Sequence, residues 1–453
     1  MHIPDGYLSP ATSGVMYAAA TPFWAVSVSR VGKILRGRTV PLLSMFAAFQ
    51  FAIMMFNVPV PGGTTAHGVG GTLVAIVLGP WAAVLTTSVA LIIQALFFGD
   101  GGITAIGANC FNMAIVLPFV GYGVYRLVAG HSDILAQRRI VAAAIGSYVG
   151  ITAAALCVGI ALGLQPLLFS SHGVPDYSPY GFGTAIPAML ISHALGASFV
   201  EAAITALALA YMQRAYPHLL RGTSERLEAE PAEVPPERRG LSPWIPAVGF
   251  VLLAAVAIFV AGLIKSGGEI KSWAGLDWGS VEWQAAGGTV LVSAIVSAVV
   301  LPLIFFALRG KRGLRTLALV FAAIVIWVPV GLIAPGGAFA EDESVTPQEL
   351  QAALTAKANG DPGLYNALPD VNRHCNCVPN DIGYVKFSKH TPFSGYEPPW
   401  VDPSSDPAWK QNLGYQLAGL LGFGLLALVG VGLYQFARWL VPSQAPDWRT
   451  AQQ

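Results

Sequence analysis

The chain has 453 residues, of which 54% are hydrophobic and only 11% are Asp, Glu, Lys or Arg. Soluble domains carry about 25% charged residues, so this composition excludes an ordinary soluble enzyme, a disordered chain and a nucleic-acid-binding protein with a basic surface. It predicts an all-α polytopic membrane helix bundle.

Apolar segments define the predicted helices, because a membrane span needs about 20 mostly apolar residues. Eleven segments qualify as candidates. The third and fourth meet at Gly79-Pro80, where the proline should break a helix. The predicted spans are 9–29, 41–57, 69–79, 81–98, 104–126, 140–165, 185–213, 244–265, 286–308, 316–335 and 413–437.

The basic residues predict the orientation of the bundle. With eleven spans, five clusters of Lys and Arg fall on one side, which the positive-inside rule assigns to the cytoplasm. The opposite connections 58–68, 99–103 and 166–184 contain no Lys or Arg. The N-terminus is therefore predicted outside and the C-terminus in the cytoplasm.

Composition also divides the chain into two membrane modules. Residues 216–243 are charged and rich in proline, as expected of a cytoplasmic linker. Residues 1–215 form a predicted seven-span module, and residues 244–453 hold four spans with a polar outer loop at 336–412. A short helix with Thr346 as its N-cap is predicted in that loop, because a proline follows at the first helical position.

The first dipeptide, Met1-His2, has the donor pattern of a metal chelate. No signal-peptide pattern precedes the first span, so Met1 is expected to begin the mature protein. The α-amine, the amide nitrogen of His2 and its imidazole can form fused rings around one ion. Since an amide nitrogen must lose its proton to coordinate, this set favours Cu²⁺ and Ni²⁺. The alternative is that His2 is a polar residue on a frayed end.

His67 is the best candidate for a further imidazole. It lies in the predicted outer connection NVPVPGGTTAHGVGG, on the same face as the N-terminus. A polar, glycine-rich loop could fold into the bilayer only if protein covers it. Thr64 and Thr65 precede His67 and are candidates to orient it. The alternative is a turn with an incidental histidine.

Three motifs closely resemble one known family: MHIPDGYLSP, VPGGTTAHGVGGTLVAIVLGPWAA and FGDGGITAIGANCFNMAI. It is the nickel/cobalt-specific substrate-binding (M-type) component of energy-coupling-factor (ECF) transporters, and the resemblance covers about residues 1–215. The resemblance implies that Ni²⁺ (or Co²⁺) is the transported substrate. It also implies a square-planar site formed by Met1, His2 and His67.

The resemblance further implies a cell inner membrane protein that works with a membrane coupling (T) component and two ATPase subunits. The sequence lacks a G-x-x-x-x-G-K-[ST] phosphate loop, so the chain itself is expected to be no enzyme. Residues 241–453 are similar in position and layout to a fused accessory N-type component, although they are larger than expected for one. The alternative function is a membrane metal sensor or assembly factor that binds the ion without transporting it.

Other polar residues of the first module have two interpretations each. Asp5 is either an acceptor that orients an imidazole or part of an Asp-Gly turn. Asn109 and Asn112 either support the site or join helices by hydrogen bonds. His193 and Glu201 lie eight residues apart on one helix face. They are interpreted as a buried structural pair or as an inward step for the ion.

The polar loop contains a second cluster, His374-Cys375-Asn376-Cys377. The C-x-C spacing is shorter than the common zinc pattern. Disulfide pairing, metal capture or handover, and no role all remain open for these residues. Cys110 and Cys157 lie in apolar runs and are predicted to be buried packing residues.

Overall fold

The computed structural model describes most of the first module and parts of the second. The predicted span 244–265, most of the predicted span 316–335 and the linker beyond residue 220 lie outside the described residues. The described residues are 1–34, 39–55, 58–60, 64–220, 283–307, 345–379, 391–396, 398–402 and 405–440, with positions 309, 319, 322, 323 and 326.

The first module is built of helices joined by short connections, two of which contain small β-hairpins. Strands β1 and β2 pair antiparallel in the connection before His67, with Val58 opposite Ala66. The elements are α1 Pro10–Ile34, α2 Thr39–Met54, β1 Val58–Val60, β2 Thr64–Ala66, α3 Gly71–Leu78, α4 Pro80–Ile93, α5 Ile106–Asn109, α6 Leu117–Ala129, α7 Gln137–Gly163, α8 Gln165–Leu168, β3 Ser170–Ser171, β4 Val174–Pro175, α9 Phe182–Ser192 and α10 Ser198–Ala215.

Three π-helical segments continue or join these helices. They are Gln94–Phe98 after α4, Cys110–Val116 between α5 and α6, and His193–Ala197 between α9 and α10. Such wide turns are rare and concentrate at functional sites. Each carries or adjoins a polar side chain of the cluster described below.

The helical membrane class is confirmed. Within the described residues, four helical segments are long and apolar enough to cross a bilayer. They are Pro80–Phe98, Ile106–Ala129, Gln137–Leu168 and Phe182–Ala215.

The third predicted span is shorter than expected. Helix α3 has 8 residues, from Gly71 to Leu78, so it rises only about 12 Å and does not cross a bilayer alone. Gly79, with φ of 93°, separates it from α4, which starts with Pro80 at its first position. The predicted break at Gly79-Pro80 is confirmed, but α3 begins only after the segment 67–70, which is itself buried.

Glycines allow the central helices to approach closely. A Cβ on Gly150 of α7 would lie 2.6 Å from the main-chain oxygen of Leu117, and one on Gly146 would lie 2.5 Å from that of Gly121. Small residues at such crossings let helix backbones pack directly against each other. This packing holds α6 and α7 together behind the N-terminal segment.

Within its described residues, the second module has two long helices and a region of short helices. Its elements are α11 Trp283–Ala307, α12 Pro347–Ala358, α13 Gly363–Asn366, α14 Asp370–Cys375 and α15 Ala408–Leu440. The predicted N-cap is confirmed, because Thr346 and Glu349 form a capping box at the start of α12. Helix α15 packs along α2 of the first module. There the hydroxyl of Tyr415 donates to the carbonyl of Met55 at 3.1 Å.

Candidate metal site

The first three residues form a buried segment without regular secondary structure, and they are not a frayed end. Met1 is 8% exposed, His2 9% and Ile3 1%. Asn109 holds this segment at both sides of the main chain of Ile3: its Oδ1 accepts from the amide at 2.8 Å, and its Nδ2 donates to the carbonyl at 3.1 Å. Asn109 therefore supports the N-terminal segment, as one of its two predicted roles required.

Two glycines leave room for this segment. A Cβ on Gly102 would lie 2.4 Å from the amide nitrogen of Asp5, and one on Gly101 would lie 3.2 Å from Cδ2 of His2. Gly102 also donates its amide to the carbonyl of Ile3 at 2.9 Å. Only a residue without a side chain permits this close main-chain approach.

His67 is fixed from the opposite side. Its Nδ1 lies 3.1 Å from the carbonyl of Gly68, which can only accept, so Nδ1 carries the proton and Nε2 keeps its lone pair. Glu201 on α10 accepts hydrogen bonds from the amides of Val69 at 2.7 Å and Gly70 at 2.9 Å. These bonds tie the buried turn after His67 to a membrane helix.

The two imidazoles meet at their ring nitrogens. Nε2 of His67 lies 3.2 Å from Nδ1 of His2, and the ring centroids are 4.9 Å apart. In the described part of the chain, no group of three or more His, Cys, Asp or Glu side chains is arranged to hold a metal ion. The structure thus brings the predicted residues Met1, His2 and His67 into one buried cluster, with two imidazoles and the chain's own amine.

Three residues that the sequence analysis did not single out lie behind His2. Oδ1 of Asp100 is 3.0 Å from Nδ1 of His2. The Nε2 group of Gln94 donates to the hydroxyl of Tyr396 at 2.7 Å, and that hydroxyl donates to Oδ2 of Asp100. The sequence does carry a signal for Asp100, because it is a carboxylate in the predicted outer connection 99–103, which has no basic residue to pair with it. Tyr396 offered no comparable signal.

Burial controls the protonation of this cluster. Burial and the nearby α-amine lower the pKa of His2 to about 3, against the opposing effect of a hydrogen bond with Gln94. Burial, the α-amine and His2 hold the pKa of His67 well below its usual range. Burial also raises the pKa of Asp100 to about 6, against the opposing effects of Tyr396 and the α-amine. Both imidazoles are therefore neutral at physiological pH, which is the form that binds metals.

His193 and Glu201 are buried but have separate partners. Nδ1 of His193 lies 2.8 Å from the carbonyl of Met189, whereas Glu201 bonds to the amides after His67. The interpretation as a structural pair is therefore wrong, because the carboxylate of Glu201 accepts from the main chain of a different segment. The other interpretation, an inward step for the ion, stays a prediction. His193 remains close enough to His67 to affect its pKa.

The remaining polar candidates have mixed outcomes. Oδ1 of Asp5 accepts from the amide and hydroxyl of Thr104 at 2.9 and 2.6 Å, so these bonds shape the N-terminal tail. The side-chain nitrogen and oxygen of Asn112 are buried without a hydrogen-bond partner among the described residues. Thr64 and Thr65 lie in β2, and their side chains are outside the described residues.

The cysteine cluster of the second module is a disulfide. Cys375 and Cys377 are joined, which excludes two thiolate ligands there in this state. The ring of neighbouring His374 packs 5.0 Å from that of Tyr180 in the first module. Cys110 is buried as predicted, and Cys157 is partly buried.

Comparisons with known proteins match the module that holds this cluster. The family described as "Cobalt uptake substrate-specific transmembrane region" matches residues 2–219. The fused nickel transport protein NikMN of Rhodobacter capsulatus is 43% identical over 303 residues, which are 67% of this chain and 82% of that protein. This chain belongs to the cobalt uptake family.

A second relative supports membership in this family. The probable fused nickel transport protein LarMN of Lactiplantibacillus plantarum is 46% identical, over 60% of this chain and 78% of that protein. A solved structure described as a truncated transition metal transporter is 54% identical, covers 47% of this chain and 98% of that chain, and has a TM-score of 0.44. The expected kinship with an M-type component fused to an N-type component is confirmed.

Proposed function

We propose that this protein is the substrate-binding membrane component of an ATP-driven uptake transporter for Ni²⁺, with Co²⁺ as the second choice. The ion binds to the α-amine of Met1, the amide nitrogen and Nδ1 of His2, and Nε2 of His67. The relatives named above as nickel transport proteins support the choice of ion.

The observation that carries this proposal is the distance between the two imidazoles. Nitrogens bound to one ion at about 2 Å, at a right angle to each other, lie about 3 Å apart. Nε2 of His67 and Nδ1 of His2 are 3.2 Å apart, close to that spacing. Without an ion, Nδ1 of His2 can donate a proton to Nε2 of His67 or Oδ1 of Asp100. An ion bound between the two imidazoles would replace that proton.

The chemistry of the remaining donors favours nickel. A planar set that includes a deprotonated amide suits Ni²⁺ and Cu²⁺ better than ions that prefer tetrahedral or octahedral ligands. The neutral imidazoles make the site compatible with a cation without adding positive charge. The geometry thus favours binding and release of an intact ion over chemistry on it.

Uptake requires a direction and a source of energy. The proposed orientation places the N-terminus and His67 outside, with the basic clusters in the cytoplasm. Release inward would be driven by a T-type membrane coupling component and two ATPase subunits, while residues 244–453 act as the accessory N-type module. The linker 216–243 joins the two modules on the cytoplasmic side.

Substitution of His67 tests the site. His67→Ala, or one residue inserted between Met1 and His2, should abolish nickel accumulation in cells that express the partner subunits, while membrane insertion is unchanged. His172→Asn is the matched control, because His172 is exposed and asparagine tolerates its positive φ of 53°.

Two outcomes would contradict the proposal. Wild-type accumulation of nickel and cobalt by the His67→Ala protein would exclude these ligands. Nickel binding by the wild type, with no accumulation when the coupling component and ATPase subunits are present, would instead favour a sensor or assembly factor.

A further inference from the structure

The second module reaches the candidate metal site through a short segment, Phe393–Tyr396. Tyr396 is 3% exposed, and its ring packs 5.1 Å from Phe98 and 6.1 Å from Phe51. The amide of Phe393 donates to the carbonyl of Phe97 at 2.9 Å. This segment is therefore anchored on the π-helical end of α4, directly before the connection that carries Asp100.

The hydroxyl of Tyr396 is bonded to two side chains that face His2. It accepts from Nε2 of Gln94 at 2.7 Å and donates to Oδ2 of Asp100. The other carboxyl oxygen, Oδ1, lies 3.0 Å from Nδ1 of His2. Tyr396 thus determines which carboxyl oxygen faces the imidazole, although it does not touch the imidazole itself.

The orientation of His2 matters because Nδ1 is the atom that would close the chelate with the amine. The carboxylate of Asp100 faces this same nitrogen, so it gives up the contact when the ion binds and then lies beside the bound cation. Groups that surround metal ligands typically change metal affinity by 10- to 100-fold when substituted. The buried hydroxyl of Tyr396 fixes Gln94 and Asp100 more firmly than packing alone, because both side chains lose a hydrogen-bond partner when the hydroxyl is removed.

We infer that Tyr396 is a positioning residue for the metal site, acting on His2 through Asp100 and Gln94. This inference rests on the proposed function and deepens it. The second module would then hold the side chains of Gln94 and Asp100 in the orientation that allows the ion to bind at His2.

The test is Ni²⁺ affinity of the purified full-length protein, measured by competition with a chelator. Tyr396→Phe keeps the ring but removes the hydroxyl, and it should weaken Ni²⁺ binding about tenfold. Tyr415→Phe is the matched control. Tyr415 lies in the same aromatic cluster, 5.4 Å from the Tyr396 ring, but its hydroxyl donates to the carbonyl of Met55. It should bind Ni²⁺ as the wild type does.

A double-mutant cycle separates positioning from packing. If Tyr396 acts through the carboxylate, Tyr396→Phe should weaken binding much less in an Asp100→Ala background than in the wild type. Equal affinity loss in Tyr396→Phe and Tyr415→Phe, wild-type affinity in Tyr396→Phe, or full additivity with Asp100→Ala would overturn the inference. Absence of Ni²⁺ binding by the wild-type protein would instead overturn the proposed function.

Discussion

The two modules contact the N-terminal segment in different ways. Side chains of the first module form hydrogen bonds with the main chain of the N-terminal segment. Asn109 bonds to both the amide and the carbonyl of Ile3, and Gln165 accepts from the amide of Ser9 at 3.0 Å. The second module contacts the side chains behind His2 with the hydroxyl of Tyr396. In the proposed site, the first module therefore holds the N-terminal ligands in place, and the second module orients the side chains behind His2.

This division has a physical basis. Main-chain hydrogen bonds hold a buried segment in one register, since breaking one leaves a buried polar group unsatisfied. A single hydroxyl acting on neighbouring side chains can be gained or lost without unfolding the segment. Changes in the first module should therefore abolish metal binding, whereas changes in the second should reduce it by degrees.

The largest effect is expected at Gly102 in the first module. Gly102→Ala would place a Cβ 2.4 Å from the amide of Asp5, so the N-terminal segment must move. We expect nickel affinity to fall on the order of a hundredfold. Gly183→Ala is the control, because its added Cβ meets no atom within 4 Å. Chelator competition measures both, and equal affinities would contradict the proposed packing of the tail.

An intermediate effect is expected where the modules pack together. A Cβ on Gly422 of α15 would lie 2.0 Å from Cζ of Phe51 on α2, whereas one on Gly424 meets nothing within 4 Å. Gly422→Ala should cost about 1–3 kcal/mol of packing energy and reduce nickel uptake several-fold. Gly424→Ala should leave it unchanged. Uptake in cells, normalised to membrane protein, distinguishes them; identical rates would argue that the two modules work independently.

The smallest effect is expected at the disulfide. Replacing Cys375 and Cys377 with serine opens a very short loop, so the entropic loss is only about 1.5 kcal/mol. Nickel uptake should stay within about twofold of wild type, because the neighbouring His374 packs against Tyr180 and not against a proposed ligand. A large loss of uptake would revive the metal-capture interpretation of these cysteines.

Local signals in the sequence predicted the parts of the structure that depend on neighbouring residues. The capping box at Thr346 follows from residues three positions apart, and the break at Gly79-Pro80 follows from one dipeptide. The chelating dipeptide Met1-His2 is likewise local. His67 was found because its loop is glycine-rich and free of charge on the predicted outer face.

Contacts between distant segments were not predictable in the same way. Gln94 and Tyr396 are 302 positions apart, and Glu201 lies 132 positions from Val69. Hydropathy marks a polar residue in a span as buried, but it does not name its partner. For this reason the sequence suggests His193, on the same helix, as a partner of Glu201, whereas the carboxylate of Glu201 accepts from the turn after His67.

The burial of Met1 has a consequence for how the protein is made. Met1 is 8% exposed, and the segment that it begins is held by a residue far along the chain, because the amide of Ile3 donates to Asn109. The proposed site can therefore form only after the helices around Asn109 have been synthesised. Because the amine of Met1 is a proposed ligand, a tag joined to that nitrogen should prevent the site from forming.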